Sequence, residues 1–223
     1  MPICISPYGD EHDKDIALGI RYAVDNGAKV INMSFGKEFS LHKDWVFDAF
    51  RYAEENNVLI VSSAGNSGFN LSNKNNYYPN DNVDNGPEVS NNFVLVGAST
   101  PYANEKLVAP YSNYGEYDVD IFAPGTNMKT YYPNNEIKDD GGTSLSAAIV
   151  TKIAALIYSY YPKLKASEIK DILLKSSVKY KFDIKLRHEN DSIKYVPFSK
   201  LSKSGGVVNA YNALLMAEKV AKE

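Results

Sequence analysis

The chain has 223 residues, 44% of them hydrophobic and 23% charged, an ordinary globular composition that argues against wholesale disorder. Its 24 basic and 27 acidic side chains give a net charge of −3, so there is no basic field to attract nucleic acid. A lone cysteine, Cys4, excludes an internal disulfide or a Cys-rich zinc site, and no uninterrupted apolar run reaches the roughly 20 residues needed to cross a membrane.

In chain order, Ile3-Cys4-Ile5 reads as a short buried strand. The opening residues lack the cationic start, long apolar stretch and cleavage site of an export signal. Residues 13–26 carry Ile16, Ile20, Ala23 and Val24 at three- and four-residue spacing, with Gly27 as a stop, and predict a helix. A β-rich run over 29–35 follows. A second helix is expected over 43–55, with Trp45, Val46, Ala49, Phe50 and Ala53 turned inward. Residues 58–62 and 93–98 are continuously apolar, as strands buried on both faces must be, and they alternate with helices. That pattern predicts an α/β fold: a parallel sheet between two helical layers.

The asparagine- and tyrosine-rich stretch 66–92 reads as a long surface or binding loop, and 111–123 as short strands and turns. Residues 144–160 are apolar nearly all round and predict a central, buried helix ended by Pro162. Helices are also expected over 166–176 and 209–222, the latter capped by Asn209. Residues 181–204 read as a polar, irregular excursion, and the whole of 1–223 as one partial domain.

The chemistry concentrates at Gly141-Gly142-Thr143-Ser144, a glycine turn that delivers a hydroxyl to a helix N-terminus. There a serine can attack a carbonyl while neighbouring N–H groups hold the oxyanion, or it can simply cap the helix. Ala64-Gly65-Asn66 follows directly on a buried strand and sets an amide beyond its carboxyl end, where open α/β sheets bind ligands. Taken alone, Asn66 reads better as a turn residue of Gly-Asn-Ser-Gly.

Five motifs carry a resemblance in order: residues 30–36 (VINMSFG), Ala64-Gly65-Asn66, residues 111–115 (YSNYG), Phe122-Ala123-Pro124-Gly125 and Gly142-Thr143-Ser144. Together they resemble the subtilisin, or subtilase, family of serine endopeptidases. The resemblance implies an acyl-enzyme on Ser144 with Asn66 as oxyanion donor, and a polypeptide substrate. It implies one wall of a side-chain pocket from Ser34-Phe35-Gly36 and the other from Ser63-Ala64-Gly65. Phe35 and Ser67 would then tolerate apolar or uncharged substrate side chains. Tyr78-Pro79 is similar to a position where the family often has a cis peptide. No cofactor is required; calcium is common in the family, yet no aspartate cluster here matches a binding loop. The family's usual Pro four residues after the nucleophile is Ala148 here.

The family's catalytic Asp and His precede all these motifs, and neither has a match. His12, His42 and His188 lack the family's surrounding sequence and read as surface residues. Ile3-Cys4-Ile5 resembles the family's fourth strand, so Met1 matches an internal position and the chain reads as a truncated catalytic domain. Little or no peptidase activity is expected of it alone. The alternative is a pseudoprotease, or a fragment that depends on the missing N-terminal segment or on another chain pairing with the exposed sheet edge. The parent protein would be an exported one. An esterase with Ser144, Asp183 and His188 in that order is a weaker rival, because residues 138–140 read as no strand and the second glycine of a nucleophile elbow is absent.

Overall fold

The computed structural model describes residues 1–6, 10–73, 77–82, 86–187 and 192–222. Helices α1 (Asp13–Asp25) and α2 (Lys43–Glu55) alternate with strands β1 (Val30–Met33), β2 (Leu59–Ser63) and β3 (Phe93–Ser99). After β4 (Ile121–Pro124) come the hairpin strands β5 (Met128–Tyr132) and β6 (Glu136–Asp140), then α3 (Thr143–Tyr160) and α4 (Ala166–Lys175). The chain closes with β7 (Val178–Lys179), β8 (Asp183–Arg187), β9 (Ile193–Pro197), β10 (Gly206–Val207) and α5 (Ala210–Val220).

Six strands form the main sheet in the order β1-β2-β3-β4-β10-β7. All its pairings are parallel except β10 with β7. Side chains of successive strand residues point to opposite faces, and here both faces are covered. Ile60, Phe93 and Leu95 pack under α1 and α2. Leu59, Val61, Val94 and Val96 pack under α3, α4 and α5. The result is the expected three-layer α/β architecture, and it explains why β2 and β3 are apolar at every central position.

Several expectations change. Residues 1–6 form no strand and Cys4 is exposed. Among the described residues nothing pairs the outer edge of β1, so these residues have no sheet neighbour, and Ile5 and Ile3 lie against Gly19 instead. Trp45 is 42% exposed and stacks on His42, while Phe47 takes the buried position. Asp13 is buried and ion-paired with Lys37 at 2.8 Å. Burial pushes its carboxyl up, but hydrogen bonds from Lys37, the His42 backbone and Ser40 outweigh this and hold it below its ordinary value.

Helix α3 has the length and mean hydropathy, 1.2, of a membrane span, yet it packs on β1 to β4. It is not buried all round, since Ala148, Ala155 and Leu156 are exposed. Nor are the described residues of the stretch 181–204 irregular. β8 and β9 pair antiparallel, with Ile184 and Leu186 buried on one side, and a 3-10 turn then buries Phe198. Asn209 caps α5 as expected, accepting from the Asn212 N–H.

A buried charge cluster ties the loop after β2 to the far layer. Lys170 lies 2.6 Å from Glu88 and 3.7 Å from Asp120, and Lys203 bridges the same two carboxylates. Asp81, 1% exposed, joins the cluster. Burial, and then the charge of Asp120, push its carboxyl up to about 8. From about pH 4 to about 8 the folded chain holds this proton and the unfolded chain does not, so this carboxyl makes stability fall as pH rises through that window. Asp81→Asn is therefore expected to flatten the decline between about pH 5 and about pH 8.5 by at least ~1.4 kcal/mol, the worth of one pKa unit. Urea denaturation at the two pH values measures it, and an unchanged slope refutes the assignment.

Candidate active site

The predicted site residues meet at the carboxyl ends of β1 and β2, against the N-terminus of α3. Gly142 precedes the helix with φ 150°, and the N–H groups of the first turn have no acceptor inside the helix. Asn66 occupies this mouth. Its Oδ1 accepts from the Thr143 N–H at 2.9 Å and from the Thr143 hydroxyl at 3.0 Å. That hydroxyl in turn accepts from the Gly65 N–H at 3.1 Å. With the oxygen so engaged, Nδ2 is the group Asn66 has left to offer a ligand.

Nδ2 of Asn66 and the backbone nitrogen of Ser144 lie 3.6 and 3.8 Å from the point where a β-carbon on Gly142 would stand. Two N–H donors thus flank one small space, and the absence of a side chain on Gly142 keeps it open. Such a pair can hold a negatively charged oxygen that forms beside Ser144. Ser144 itself is half-buried. Its Oγ donates to the Ser34 carbonyl at 3.2 Å, and Ser34 Oγ donates back to the Ser144 carbonyl at 2.9 Å. Ser34 also accepts from Asn32 Nδ2, and Asn32 Oδ1 accepts from Thr151 on α3.

Ser34, Phe35 and Gly36 leave β1, while Ser63 ends β2 and Ala64 and Gly65 follow it; the two strands pair up to Met33 and Ser62. Ser63 and Ala64 are buried; Ser34 is exposed. What sequence reasoning missed is how the other motifs hold this crevice. Asn113 donates to the Ala64 carbonyl at 2.8 Å and accepts from the N–H groups of Ser67 and Phe69. The Gly125 carbonyl accepts from the Tyr111 hydroxyl at 2.6 Å and from the Gly142 N–H at 2.8 Å. Ser146 donates to the carbonyls of Ala123 and Pro124, which anchors α3 to the end of β4. The five motifs recognised in the sequence are one hydrogen-bonded frame.

No described histidine reaches Ser144. His12 is exposed at the start of α1, and His42 is stacked on Trp45 at 4.1 Å. His188 lies outside the described residues. The esterase rival loses its geometry as well. Residues 138–140 do form a strand, contrary to the sequence reading, but β6 belongs to the separate β5–β6 hairpin and not to the main sheet from which a nucleophile elbow projects.

Fold and crevice define a parallel, three-layer α/β protein with its loops converging at strand ends. Within that class the chain belongs to the subtilase family, whose profile matches residues 6–207. It is 34% identical over 176 residues to a cell wall-associated protease of Bacillus subtilis (strain 168), covering 78% of this chain and 17% of that protein. It is 32% identical over 158 residues to subtilisin DY of Bacillus licheniformis, covering 71% of this chain and 53% of that one. The chain therefore spans about half of one relative and about a sixth of the other. Among solved structures, that of the subtilase cytotoxin SubAB superposes with a TM-score of 0.73 at 25% identity, over 96% of this chain and 68% of that one. The prenylagaramide maturation protease PagA, at 24% identity, shares the fold with a TM-score of 0.72 over 97% of this chain and 71% of that one. The Tyr78-Pro79 peptide is cis, as the resemblance implied.

Proposed function

We propose that this chain carries the acyl-transfer half of a serine endopeptidase. Ser144 Oγ attacks the peptide carbonyl. The Ser144 N–H and Asn66 Nδ2 donate to the oxygen as it becomes an anion, a charge absent in the ground state, so their attraction lowers the barrier specifically. The substrate backbone runs along Ser34-Phe35-Gly36, and the side chain on its acyl side enters between that segment and Ser63-Ala64-Gly65. The pairing of two N–H donors around one space beside Ser144 carries this reading.

A serine hydroxyl attacks poorly without a base to take its proton. Here Ser144 Oγ gives its hydrogen bond to a carbonyl, which is no base. The proposal therefore requires a histidine and its carboxylate from a segment docked on the open edge of β1. A groove of about 710 Å³ lies there, lined by Ile3, Ile5, Ile16, Ile31 and Thr151 among others. The unpaired strand edge beside it would accept another strand. The same geometry supports a second reading, a pseudoprotease that binds peptide without cutting it.

A fluorophosphonate probe separates the possibilities. This chain alone is expected to react no faster than free serine. Mixed with the N-terminal half of a subtilase domain that supplies Asp and His, it is expected to become labelled at Ser144. Labelling of the isolated chain at the rate of a complete enzyme would falsify the need for a second segment. A folded but unlabelled complex favours the pseudoprotease.

A further inference from the structure

Tyr77 lies inside the slot just assigned to the substrate. Its phenol ring sits between the two walls, against the glycine at the end of each. A β-carbon on Gly36 would stand 2.2 Å from the Tyr77 Oη, and one on Gly65 would stand 2.5 Å from its Cε2. Real carbon atoms do not approach so closely, so a side chain at Gly36 would have to displace this ring, while Gly65, at φ +98°, is closed off by Asn113 Nδ2 at 2.5 Å as well as by the ring.

The ring is also held from behind. Tyr78 and Lys37 exchange paired backbone hydrogen bonds, each 2.8 Å, which fix the loop against the β1 side of the slot. Asn80 Nδ2 donates to the Tyr77 carbonyl at 2.6 Å. Burial pushes the phenol up from its ordinary value, and a hydrogen bond with Ser63 on the other wall partly offsets this. The slot thus has a fixed aromatic occupant bonded to one wall and backed by the other.

From this we infer that Tyr77 is the specificity-determining residue of the site, filling the slot so that the substrate residue on the acyl side of the cleaved bond must be glycine or alanine. The inference rests on the proposed function above and narrows its substrate class from the apolar or uncharged side chains expected of Phe35 and Ser67. A filled slot excludes by overlap: a phenylalanine would need the volume that the tyrosine ring already holds, and packed interiors do not yield such volume cheaply.

The test uses the full chain complemented with a subtilase N-terminal half, and peptides that differ only in the residue before the cleaved bond. Alanine is expected to be preferred to phenylalanine by at least about 100-fold in kcat/KM, the scale on which a pocket discriminates one methylene group. Tyr77→Gly is expected to reverse the order, and Tyr77→Phe, which keeps the ring, to preserve it. Cleavage after phenylalanine as fast as after alanine by the unaltered protein overturns the inference and leaves the proposed chemistry standing. Cleavage of no peptide by a folded complex overturns the chemistry and the inference with it. The unaltered protein decides the matter even where a variant does not fold.

Discussion

Once the chain is complemented with a segment that supplies histidine and aspartate, Ser144→Ala is expected to lower peptide turnover by about six orders of magnitude. In subtilisin, a member of the same family, loss of the serine costs about 2 × 10⁶ in kcat, a value measured on that enzyme and carried over to this chain. The reason is physical. Without Oγ no acyl-enzyme forms, and what remains is the small contribution of the oxyanion donors and of substrate positioning. Stability should scarcely change, because Ser144 Oγ makes only a hydrogen bond to Ser34 at a half-buried site. Turnover of a synthetic peptide and a urea midpoint measure the two quantities. A variant that retains even a hundredth of the activity shows that Ser144 is not the nucleophile.

Replacing Asn66 by leucine should have the next largest effect. The side chain keeps its size but loses Nδ2, one of the two donors beside Ser144. Loss of one such donor costs about 10² to 10³ in kcat, a figure obtained on the corresponding asparagine of subtilisin and not from this structure. KM should barely move, because the donor acts on a charge that the bound substrate does not yet have. The leucine also leaves the Thr143 N–H and hydroxyl without their acceptor, a loss of order 1 kcal/mol in folding. Urea unfolding of the same variant separates that cost from the kinetic one. A variant whose KM rises while kcat holds would place Asn66 in substrate binding instead.

The sequence made the layers legible because β2 and β3 are apolar at consecutive positions, and only burial on both faces tolerates that. It placed α2 over 43–55, the bounds the structure gives, because apolar residues recur there at helical spacing. It read Trp45 as buried because helical periodicity cannot tell a wide apolar stripe from a narrow one. The β8–β9 hairpin had its signal in plain view: Asp183-Ile184-Lys185-Leu186 alternates polar and apolar, as a half-buried strand does. The lysines around that hairpin hid the alternation.

At the site, Ser144 and Asn66 were each ambiguous alone and gained meaning only as members of one ordered set of motifs. Neither the support from Asn113 and Tyr111 nor the position of Tyr77 could be read in advance. Such contacts join residues 49, 14 and 41 positions apart in the case of Asn113 with Ala64, Tyr111 with Gly125, and Tyr77 with Gly36. Nothing local in a chain with 17 tyrosines distinguishes the one that fills a slot. The lysine and carboxylate cluster was hidden for the same reason, its members being scattered from Asp81 to Lys203.

That cluster makes self-assembly of the chain a chemical event as well as a mechanical one. Three acids share an enclosed space with two ammonium groups, so full ionisation leaves one negative charge unmatched, and a hydrogen ion taken at Asp81 removes the excess. In neutral buffer, folding therefore takes up most of a hydrogen ion from the medium at this carboxyl, and unfolding gives it back.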